Sequence, residues 1–324
     1  MRPEETVLII GGKLKIPQKA KELGLAVVYF QLIDGFGPEH RDLVDCAVLV
    51  DYTNPAQLLP LAKAAHEAWG FASVLSLTEP GLVPAARVND MLGLRGTPEK
   101  VAQRFMNKWT MRQRLTATGC QSVPAALVKD PESMATFGHL NGYPFIVKPT
   151  NVTSSLGVRR ITSATDIEPA WQYMEDLRVA KDLLWTRYFQ VNEFIMEAYV
   201  TGPEYSVESF SFNGRHIVVA ITEKAMYDGT FVEVGHAMPA RLPDTTEQSI
   251  VQATTDFLDA MELRDGPAHT EIKLGADGPV VIESPGRRRS ARPRRASCSP
   301  SPAPLRSSTV SKRYERTRTW SPLT

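Results

Sequence analysis

One segment of the chain combines a fixed cation with a loop of small residues. Tyr143 to Lys148 is an apolar run that predicts a strand, and Lys148 stands at its end. The loop that follows contains Thr153, Ser154 and Ser155, whose hydroxyls and backbone amides can close over phosphate groups while the lysine offsets their charge. The pattern predicts a phosphate-binding loop. The alternative is a solvated hairpin whose lysine extends into water.

A second segment offers groups that suit a nucleoside. Phe194 to Val200 predicts an apolar strand, and a turn at Thr201-Gly202-Pro203 follows it. The N–H and C=O groups of such a segment can bind the edge of adenine. A nearby carboxylate can accept from ribose hydroxyls, and Glu197 and Glu204 are the candidates. The alternative is an ordinary strand and a tight turn.

Two glutamates near the end of the patterned sequence suggest a metal site. Glu271 and Glu283 are symmetric about Asp277 in a predicted hairpin. If Gly275 to Gly278 encloses a loop of odd length, the two carboxylates face each other, which is destabilising unless a cation lies between them. Two carboxylates plus nucleotide phosphates are ligands that Mg²⁺ commonly takes. The alternative is an exposed strand pair with both acids in water.

Two further lysines are less informative by themselves. Lys224 ends the run Ile221 to Lys224 and precedes a glycine-containing turn with His236, and Lys108 lies in a predicted helix with Arg112. A lone lysine or histidine is more often structural than functional. His236 and Arg112 therefore receive no predicted chemical role.

The elements that would position these residues begin with an open α/β unit. Short continuous apolar runs, typical of strands buried on both faces, occur at Val7–Ile10, Val27–Phe30, Cys46–Val50 and Ser73–Leu77. Predicted helices at Ile16–Leu23 and Gln57–Trp69 alternate with them, which indicates a parallel sheet with crossover helices. We place the end of this unit at Gly96.

Helix-capping and turn motifs predict where the helices and hairpins of the rest of the chain lie. Thr97-Pro98-Glu99 begins a helical region that continues to about Ala117, and Asp130 and Asp244 begin further helices. Ser163 with Asp166 predicts a capping box, and Asn213-Gly214 predicts a hairpin turn. We divide the chain into regions 1–96, 97–120, 121–200, 201–284 and 285–324, the last being a tail.

Composition excludes several classes of protein. The chain has 324 residues, 43% of them hydrophobic, and no apolar run reaches the roughly 18–20 residues of a membrane helix. Its start does not resemble a secretory leader, and three distant cysteines fit neither a disulfide framework nor a zinc site. We expect a reduced, soluble, cytoplasmic protein.

The tail from Pro285 to Thr324 differs from the body in charge and composition. It carries ten Arg, one Lys and one Glu, and 24 of its 40 residues are Arg, Ser or Pro. Such a composition predicts disorder, because it cannot bury enough apolar surface to fold. Three interpretations remain open: a translated change of reading frame, a natural disordered tail, and an arm that binds nucleic acid through its charge, which we favour least.

Taken together, the motifs resemble the ATP-grasp superfamily, specifically the carboxylate–amine ligases related to D-alanine–D-alanine ligase and biotin carboxylase. The resemblance covers about Val7 to Glu283 and extends to ligases of bacterial amino-acid, peptide and antibiotic biosynthesis. It implies an α/β chain with the ATP-grasp fold. An N-terminal parallel-sheet domain of the pre-ATP-grasp type would precede two α+β lobes that sandwich ATP.

The resemblance also implies a reaction and its partners. ATP would phosphorylate a small-molecule carboxylate, and a small-molecule amine would displace phosphate to form an amide, with Mg²⁺ or Mn²⁺ as cofactor. A homodimer is left open as the oligomeric state, and no membrane partner is expected. Alternatives are a carboxylase-like or ATPase module and a protein that binds ATP without turning it over.

The site residues follow from the resemblance position by position. Lys108 and Lys148 match lysines that contact ATP phosphates, and Lys224 is similar to a phosphate-side lysine. The remaining matches are the mobile loop Thr150–Gly157 with Thr153, Ser154 and Ser155, the adenine acid Glu197, the backbone hinge Tyr199 and Val200, the ribose acid Glu204, and the metal ligands Glu271 and Glu283.

The sequence departs from the family pattern after Glu283. Arg287 keeps its place as a catalytic arginine, but Pro285 stands where the family has a metal or phosphate ligand. Proline offers no side-chain ligand and disfavours a strand interior. The Gly-Gly-Asp stretch and the rest of the family's C-terminal segment do not follow. From this departure we expect ATP binding with weak metal binding and slow turnover.

Overall fold

A parallel sheet forms the N-terminal part of the computed structural model, which describes residues 5–153, 155–180, 188, 191–227 and 231–284. Its strands lie in the order β3-β2-β1-β4. The elements are β1 (Thr6–Ile10), α1 (Lys15–Glu22), β2 (Ala26–Gln31), β3 (Cys46–Leu49), α2 (Pro55–Trp69), β4 (Ser73–Leu75) and α3 (Glu79–Leu92). Two short 3-10 helices, Ile33–Gly35 and Pro38–Leu43, lie between β2 and β3.

Burial explains the continuous apolar runs of this sheet. Val7 and Ile9 of β1 pack into one core cluster, while Leu8 and Ile10 pack into another on the opposite face. A strand covered on both faces has no reason to alternate apolar and polar residues. The predicted parallel sheet is confirmed.

The helical region after Gly96 is two helices and not one. They are α4 (Glu99–Met106) and α5 (Lys108–Thr118). Asn107 between them has an extended backbone, and its side chain accepts hydrogen bonds from the amides of Trp109 and Thr110 at the start of α5. An asparagine cap of this kind begins a new helix, so Lys108 stands in the first turn of α5.

A smaller antiparallel sheet follows, with strands in the order β5-β8-β6-β7. Its elements are β5 (Ala125–Leu127), α6 (Pro131–Asn141), β6 (Phe145–Pro149), β7 (Arg159–Ile161), α7 (Ile167–Val179) and β8 (Phe194–Ala198). The capping box of Ser163 and Asp166 is confirmed in the 3-10 turn before α7. We call this sheet, with α6 and α7, the small sheet.

The second antiparallel sheet has five strands in the order β11-β10-β9-β12-β13. Its elements are β9 (Glu204–Phe212), β10 (Arg215–Met226), β11 (Glu233–Ala237), α8 (Asp244–Ala260), β12 (Gly266–Gly275) and β13 (Gly278–Glu283). Asn213 and Gly214 both have positive φ in the turn between β9 and β10, which confirms the predicted hairpin. We call this sheet, with α8, the large sheet.

Helix α5 packs on the large sheet. Met111 and Leu115 of α5 share a buried cluster with Phe257 of α8 and Val207 of β9. Helix α5, which lies in the predicted region 97–120, is therefore part of a buried core. Among the helices that the structure describes, none has the length and apolarity needed to cross a membrane.

Gly202 provides a test of how the turn between the two sheets is built. It has φ +128°, and a Cβ there would lie 2.0 Å from the Leu274 carbonyl oxygen. We expect Gly202→Ala to lower the free energy of unfolding by roughly 3 kcal/mol or more, because backbone conformation alone costs about 1–3 kcal/mol. Gly278→Ala is the matched control, since φ is +110° there and no atom lies within 4 Å. Equal losses in urea unfolding would contradict the role of the close approach.

Candidate functional site

A cleft between the small and large sheets brings together most of the residues that the sequence singled out. Helix α5, strands β6 and β8, the segment after β8, and strands β9, β12 and β13 all line it. The predicted site residues that line it are Lys108, Lys148, Ser155, Glu197, Tyr199, Val200, Glu204, Glu271 and Glu283. Thr153 and Lys224 are not among the lining residues, and Ser154, Pro285 and Arg287 lie outside the described residues.

Glu197 lies between two cations in the cleft. Arg112 Nε donates to one carboxylate oxygen at 2.7 Å, and Lys148 Nζ lies 2.5 Å from the other. All three side chains are buried. Burial by itself would raise the pKa of Glu197, but the charges of Arg112 and Lys148 outweigh it and lower the pKa to about 2. Each carboxylate oxygen of Glu197 thus has one cationic partner and further acceptor capacity, and its contact with an adenine amino group stays a prediction.

The depressed pKa of Glu197 leads to a pH-dependent stability. A carboxylate whose pKa falls from an ordinary 4.5 to about 2 stabilises the fold above pH 4.5, and this contribution disappears as the pH falls towards 2. We expect a loss of about 3 kcal/mol over that interval. The measurement is the free energy of unfolding at several pH values for the unmodified chain, Glu197→Gln and the exposed control Glu193→Gln. A pH dependence unaffected by Glu197→Gln would contradict the assignment.

Lys224 holds three carboxylates together. Its Nζ lies 2.7 Å from Glu204, 2.8 Å from Glu271 and 3.2 Å from Glu233. Burial would lower the pKa of Lys224, but Glu271 and Glu204 outweigh it and raise the pKa above its usual range. The predicted ribose acid Glu204 and the predicted phosphate-side lysine therefore contact each other. Glu233 comes from β11, a strand that the sequence did not predict.

His269 adds a second cation beside Glu271. Its Nδ1 lies 2.7 Å from Glu208, and its Nε2 lies 3.5 Å from Glu271, a distance at which the contact is mainly electrostatic. Burial would lower the pKa of His269, but the two glutamates raise it to about 9. Burial would likewise raise the pKa of Glu271, yet His269 and Lys224 hold it well below its usual range. Glu271 is therefore ionised throughout the neutral range.

Glu283 is oriented by the first turn of α5. Lys108 Nζ lies 3.1 Å from Glu283 and donates to the Val152 carbonyl at 2.7 Å, and the Lys108 amide donates to the Thr150 carbonyl. Lys108 thus links β13 to the loop after Lys148.

The two predicted metal ligands are opposite each other, but for a different reason from the expected one. The turn of the hairpin contains only Ala276 and Asp277, an even number, so the condition of an odd loop is not met. The register instead shifts between Ile272 and Glu271, and this shift places Glu283 opposite Glu271. A β-bulge supplies the extra residue.

The donor set fits a divalent cation that is shared with a nucleotide. Glu271 and Glu283 lie on neighbouring strands and line one cleft, and both carry cationic neighbours. Among the described residues, no group of three or more His, Cys, Asp or Glu side chains is placed to hold a metal. A divalent cation would take these two carboxylates and complete its shell with phosphate and water oxygens.

The segment after β8 carries contacts that the sequence did not indicate. Two cations lie over the Tyr199 ring: Arg160 is 4.4 Å and Lys273 4.8 Å from its centroid. Lys273 Nζ also donates to the Val200 carbonyl at 3.2 Å. Lys273 lies two positions after Glu271 on one strand, and Arg112 lies four positions after Lys108 on one helix. These spacings place each pair on one face and could have identified both residues.

Comparisons with known proteins give matches to ATP-grasp domains and to ligases. An ATP-grasp N-terminal domain matches residues 17–96, and an ATP-grasp domain matches residues 141–292. Alanine–anticapsin ligase of Bacillus subtilis (strain 168) is 28% identical over 275 residues, which are 80% of this chain and 57% of the relative. The chain thus spans a little over half the length of this curated relative.

Solved structures match the described fold over most of the chain. The crystal structure of L-amino acid ligase from Bacillus licheniformis has a TM-score of 0.73 and 25% identity, covering 89% of this chain and 68% of that one. An ADP complex of N5-carboxyaminoimidazole ribonucleotide synthetase has a TM-score of 0.71 and 18% identity, covering 89% and 72%. The similarity to the synthetase shows a shared fold only.

Proposed function

The chain belongs to the ATP-grasp family, and from this premise we propose that it joins a carboxylate to an amine at the expense of ATP. The cleft between the small and large sheets would hold the nucleotide. The product would be an amide, and ADP and phosphate would be released.

One observation carries the proposal: Lys108 and Lys148 reach the same cleft as the opposed pair Glu271 and Glu283. Two lysines offset the charge of a polyphosphate, while two carboxylates suit the divalent cation that accompanies it. A purely structural ion-pair network does not explain why these groups line an open cleft. Together they suit binding of a nucleoside triphosphate with its metal.

The proposed reaction has two steps. A carboxylate oxygen of the first substrate attacks the γ-phosphorus of ATP, the bond to the β-γ bridging oxygen breaks, and ADP leaves. The amine nitrogen of the second substrate then attacks the acyl carbon, phosphate leaves, and the nitrogen loses a proton. A bound Mg²⁺ or Mn²⁺ would offset charge on the transferred phosphoryl group.

The residues of the chain have separate tasks in this scheme. Lys148 and Lys108 would bind phosphate oxygens, and Ser155 would contact the nucleotide from the loop after β6. The backbone of Tyr199 and Val200 would bind the adenine edge, and Glu204 would accept from ribose. Lys224 would hold Glu271 and Glu204 in place, because it contacts both at hydrogen-bond distance.

The names of the relatives suggest which substrates to try. Alanine–anticapsin ligase and L-amino acid ligase both carry amino acids in their names, so an L-amino acid is the proposed substrate class. The proposed setting is the cytoplasm, where ATP is available. Slow turnover caused by Pro285 stays a prediction, because that residue lies outside the described part of the chain.

The test measures binding and turnover separately. Calorimetric titration with a non-hydrolysable ATP analogue and Mg²⁺ should give saturable binding to the full chain. ADP release would then be followed over pairs of L-amino acids, with mass spectrometry of the products. Release that requires both substrates and yields a dipeptide supports the ligase. Binding without release favours a nucleotide-binding protein, and release without an amine favours an ATPase or carboxylase-like module.

A further inference from the structure

Arg112 lines the cleft and connects helix α5 to both sheets. Its Nε donates to Glu197 of the small sheet, while Nη1 and Nη2 donate to the carbonyl oxygens of Val281, at 2.8 Å, and Ile282, at 3.0 Å, on β13. The side chain is 2% exposed. A buried arginine with these partners is held in one orientation, because each contact uses a different nitrogen of a rigid plane.

The two carbonyls that Arg112 contacts belong to the β-bulge. Strands β12 and β13 pair regularly from Gly275–Gly278 to Ile272–Val281, and Glu271 then pairs with Glu283, so Ile282 is the extra residue. The shifted register continues beyond it, because the hydroxyls of Thr270 and Ser284 lie 2.9 Å apart. The bulge therefore changes the pairing of every residue after Val281.

Two features show that the backbone is irregular at Ile282. Successive carbonyls of a regular strand point to opposite sides, yet those of Val281 and Ile282 accept from one guanidinium group. Successive side chains also alternate in a regular strand, yet Ile282 and Glu283 both line the cleft. The bulge is what puts the Glu283 carboxylate on the same side as that of Glu271.

No further strand supports the bulge, since β13 is the edge of its sheet and pairs only with β12 among the described strands. In a regular register Ile282 would oppose Glu271, and Glu283 would oppose Thr270 and turn to the other face. The groups that hold the irregular backbone on the outer side of β13 are the Nη atoms of Arg112.

We propose that Arg112 is a positioning residue that holds the bulge at Ile282, so that Glu283 stands opposite Glu271 in the cleft. Lys108, one turn earlier on α5, then contacts the Glu283 carboxylate itself. What the two carboxylates bind rests on the proposed function, whereas their relative position does not. Lysine cannot replace this arginine, because one ammonium group cannot reach a carboxylate and two separated carbonyls together.

The first test measures the register directly. In a chain with Cys46, Cys120 and Cys298 replaced by Ala, two cysteine pairs are compared: Glu271→Cys with Glu283→Cys, and Thr270→Cys with Glu283→Cys. The measured quantity is the rate of oxidative cross-linking of the first pair divided by that of the second pair. We expect Arg112→Lys to lower this ratio at least tenfold. Arg114→Lys is the matched control, because Arg114 lies on the same helix and donates to the Ala260 carbonyl. General loosening of the fold would change both rates together.

The second test measures the consequence for the metal. Mn²⁺ binding to the full chain in the presence of ADP should weaken at least tenfold with Arg112→Lys and less than twofold with Arg114→Lys. The affinity for ADP without metal should stay within threefold.

The two tests separate the inference from the proposed function. A cross-linking ratio that Arg112→Lys leaves unchanged would overturn the role of Arg112, whatever the metal result. If the ratio falls as expected but the unmodified chain binds neither ADP nor Mn²⁺, Arg112 keeps its positioning role and the proposed function is wrong. If the unmodified chain binds Mn²⁺ and Arg112→Lys lowers the ratio without weakening Mn²⁺ binding, the bulge does not serve the metal, and the functional part of the inference fails.

Discussion

Replacing Lys148 by Met should raise the dissociation constant for a non-hydrolysable ATP analogue by about 10- to 100-fold. A charge-assisted hydrogen bond is worth roughly 1.5–3 kcal/mol, and Met keeps most of the volume of the side chain. Lys148 is buried at the end of β6 and lines the cleft, so a phosphate oxygen there has few competing water molecules. Calorimetric titration gives the constant.

Lys129→Met is the control for this prediction, because Lys129 is exposed on the same part of the chain and does not line the cleft. The thermal midpoint of each variant checks folding, since Lys148→Met leaves Glu197 with Arg112 as its remaining cationic neighbour. Equal affinities of Lys148→Met and the unmodified chain would remove Lys148 from the nucleotide site.

Glu271→Gln should slow amine-dependent ADP release by about 10²–10³ and weaken Mn²⁺ binding in the presence of ADP by at least tenfold. The amide retains the shape of the carboxylate and can accept hydrogen bonds, but it has no negative charge and therefore binds a divalent cation more weakly. Loss of one preorganised contact to developing charge typically has an effect of this size. Both quantities are measured because Mn²⁺ binding reports on the site even if turnover is slow.

The matched control is Glu223→Gln, one position before Lys224 on β10. Its side chain is exposed and, by the alternation of a strand, points away from the cleft. A Glu271→Gln variant whose Mn²⁺ affinity equals that of this control would mean that the opposed glutamates do not form the metal site.

The effects of replacing Lys148 and Glu271 are expected to be large because the buried charges of the cleft compensate each other. Lys148 and Arg112 compensate Glu197, and Lys224 with His269 compensates Glu271. Removing one member of a buried pair leaves the other uncompensated, which is far more costly than losing an exposed pair. Variants that keep charge or shape are therefore more informative here than alanine.

Local signals predicted much of the fold because they depend on near neighbours. The continuous apolar run of β1 predicted a strand covered on both faces, and Asn213-Gly214 predicted the β9–β10 hairpin. Helix α6 begins where Asp130 and Pro131 indicated, and the Asp130 side chain accepts from the Ser133 amide. Each of these features is decided within a few residues.

Helix α3 and strand β11, which depend on distant contacts, were not predicted from the sequence. Helix α3 has Gly81 in its first turn and Pro84 in its interior, and both disfavour a helix locally. A Cβ at position 81 would lie 2.8 Å from the Ile10 carbonyl, so the glycine permits close packing on β1. Strand β11 is exposed and contains Gly235, and only its pairing with β10 makes it a strand.

The sequence by itself determined which chemical groups the site has: lysines and glutamates at strand ends, a small-residue loop, and the order of these motifs along the chain. The tertiary structure decided how they are paired. Arg112 contacts Glu197, Lys108 contacts Glu283, and a bulge at Ile282, not the length of a turn, sets Glu283 opposite Glu271. A register shift of one residue moves every later side chain of the strand to the other face of the sheet. Contacts between distant residues leave no periodic pattern in the sequence. Local sequence patterns therefore predict neither the bulge nor these pairings.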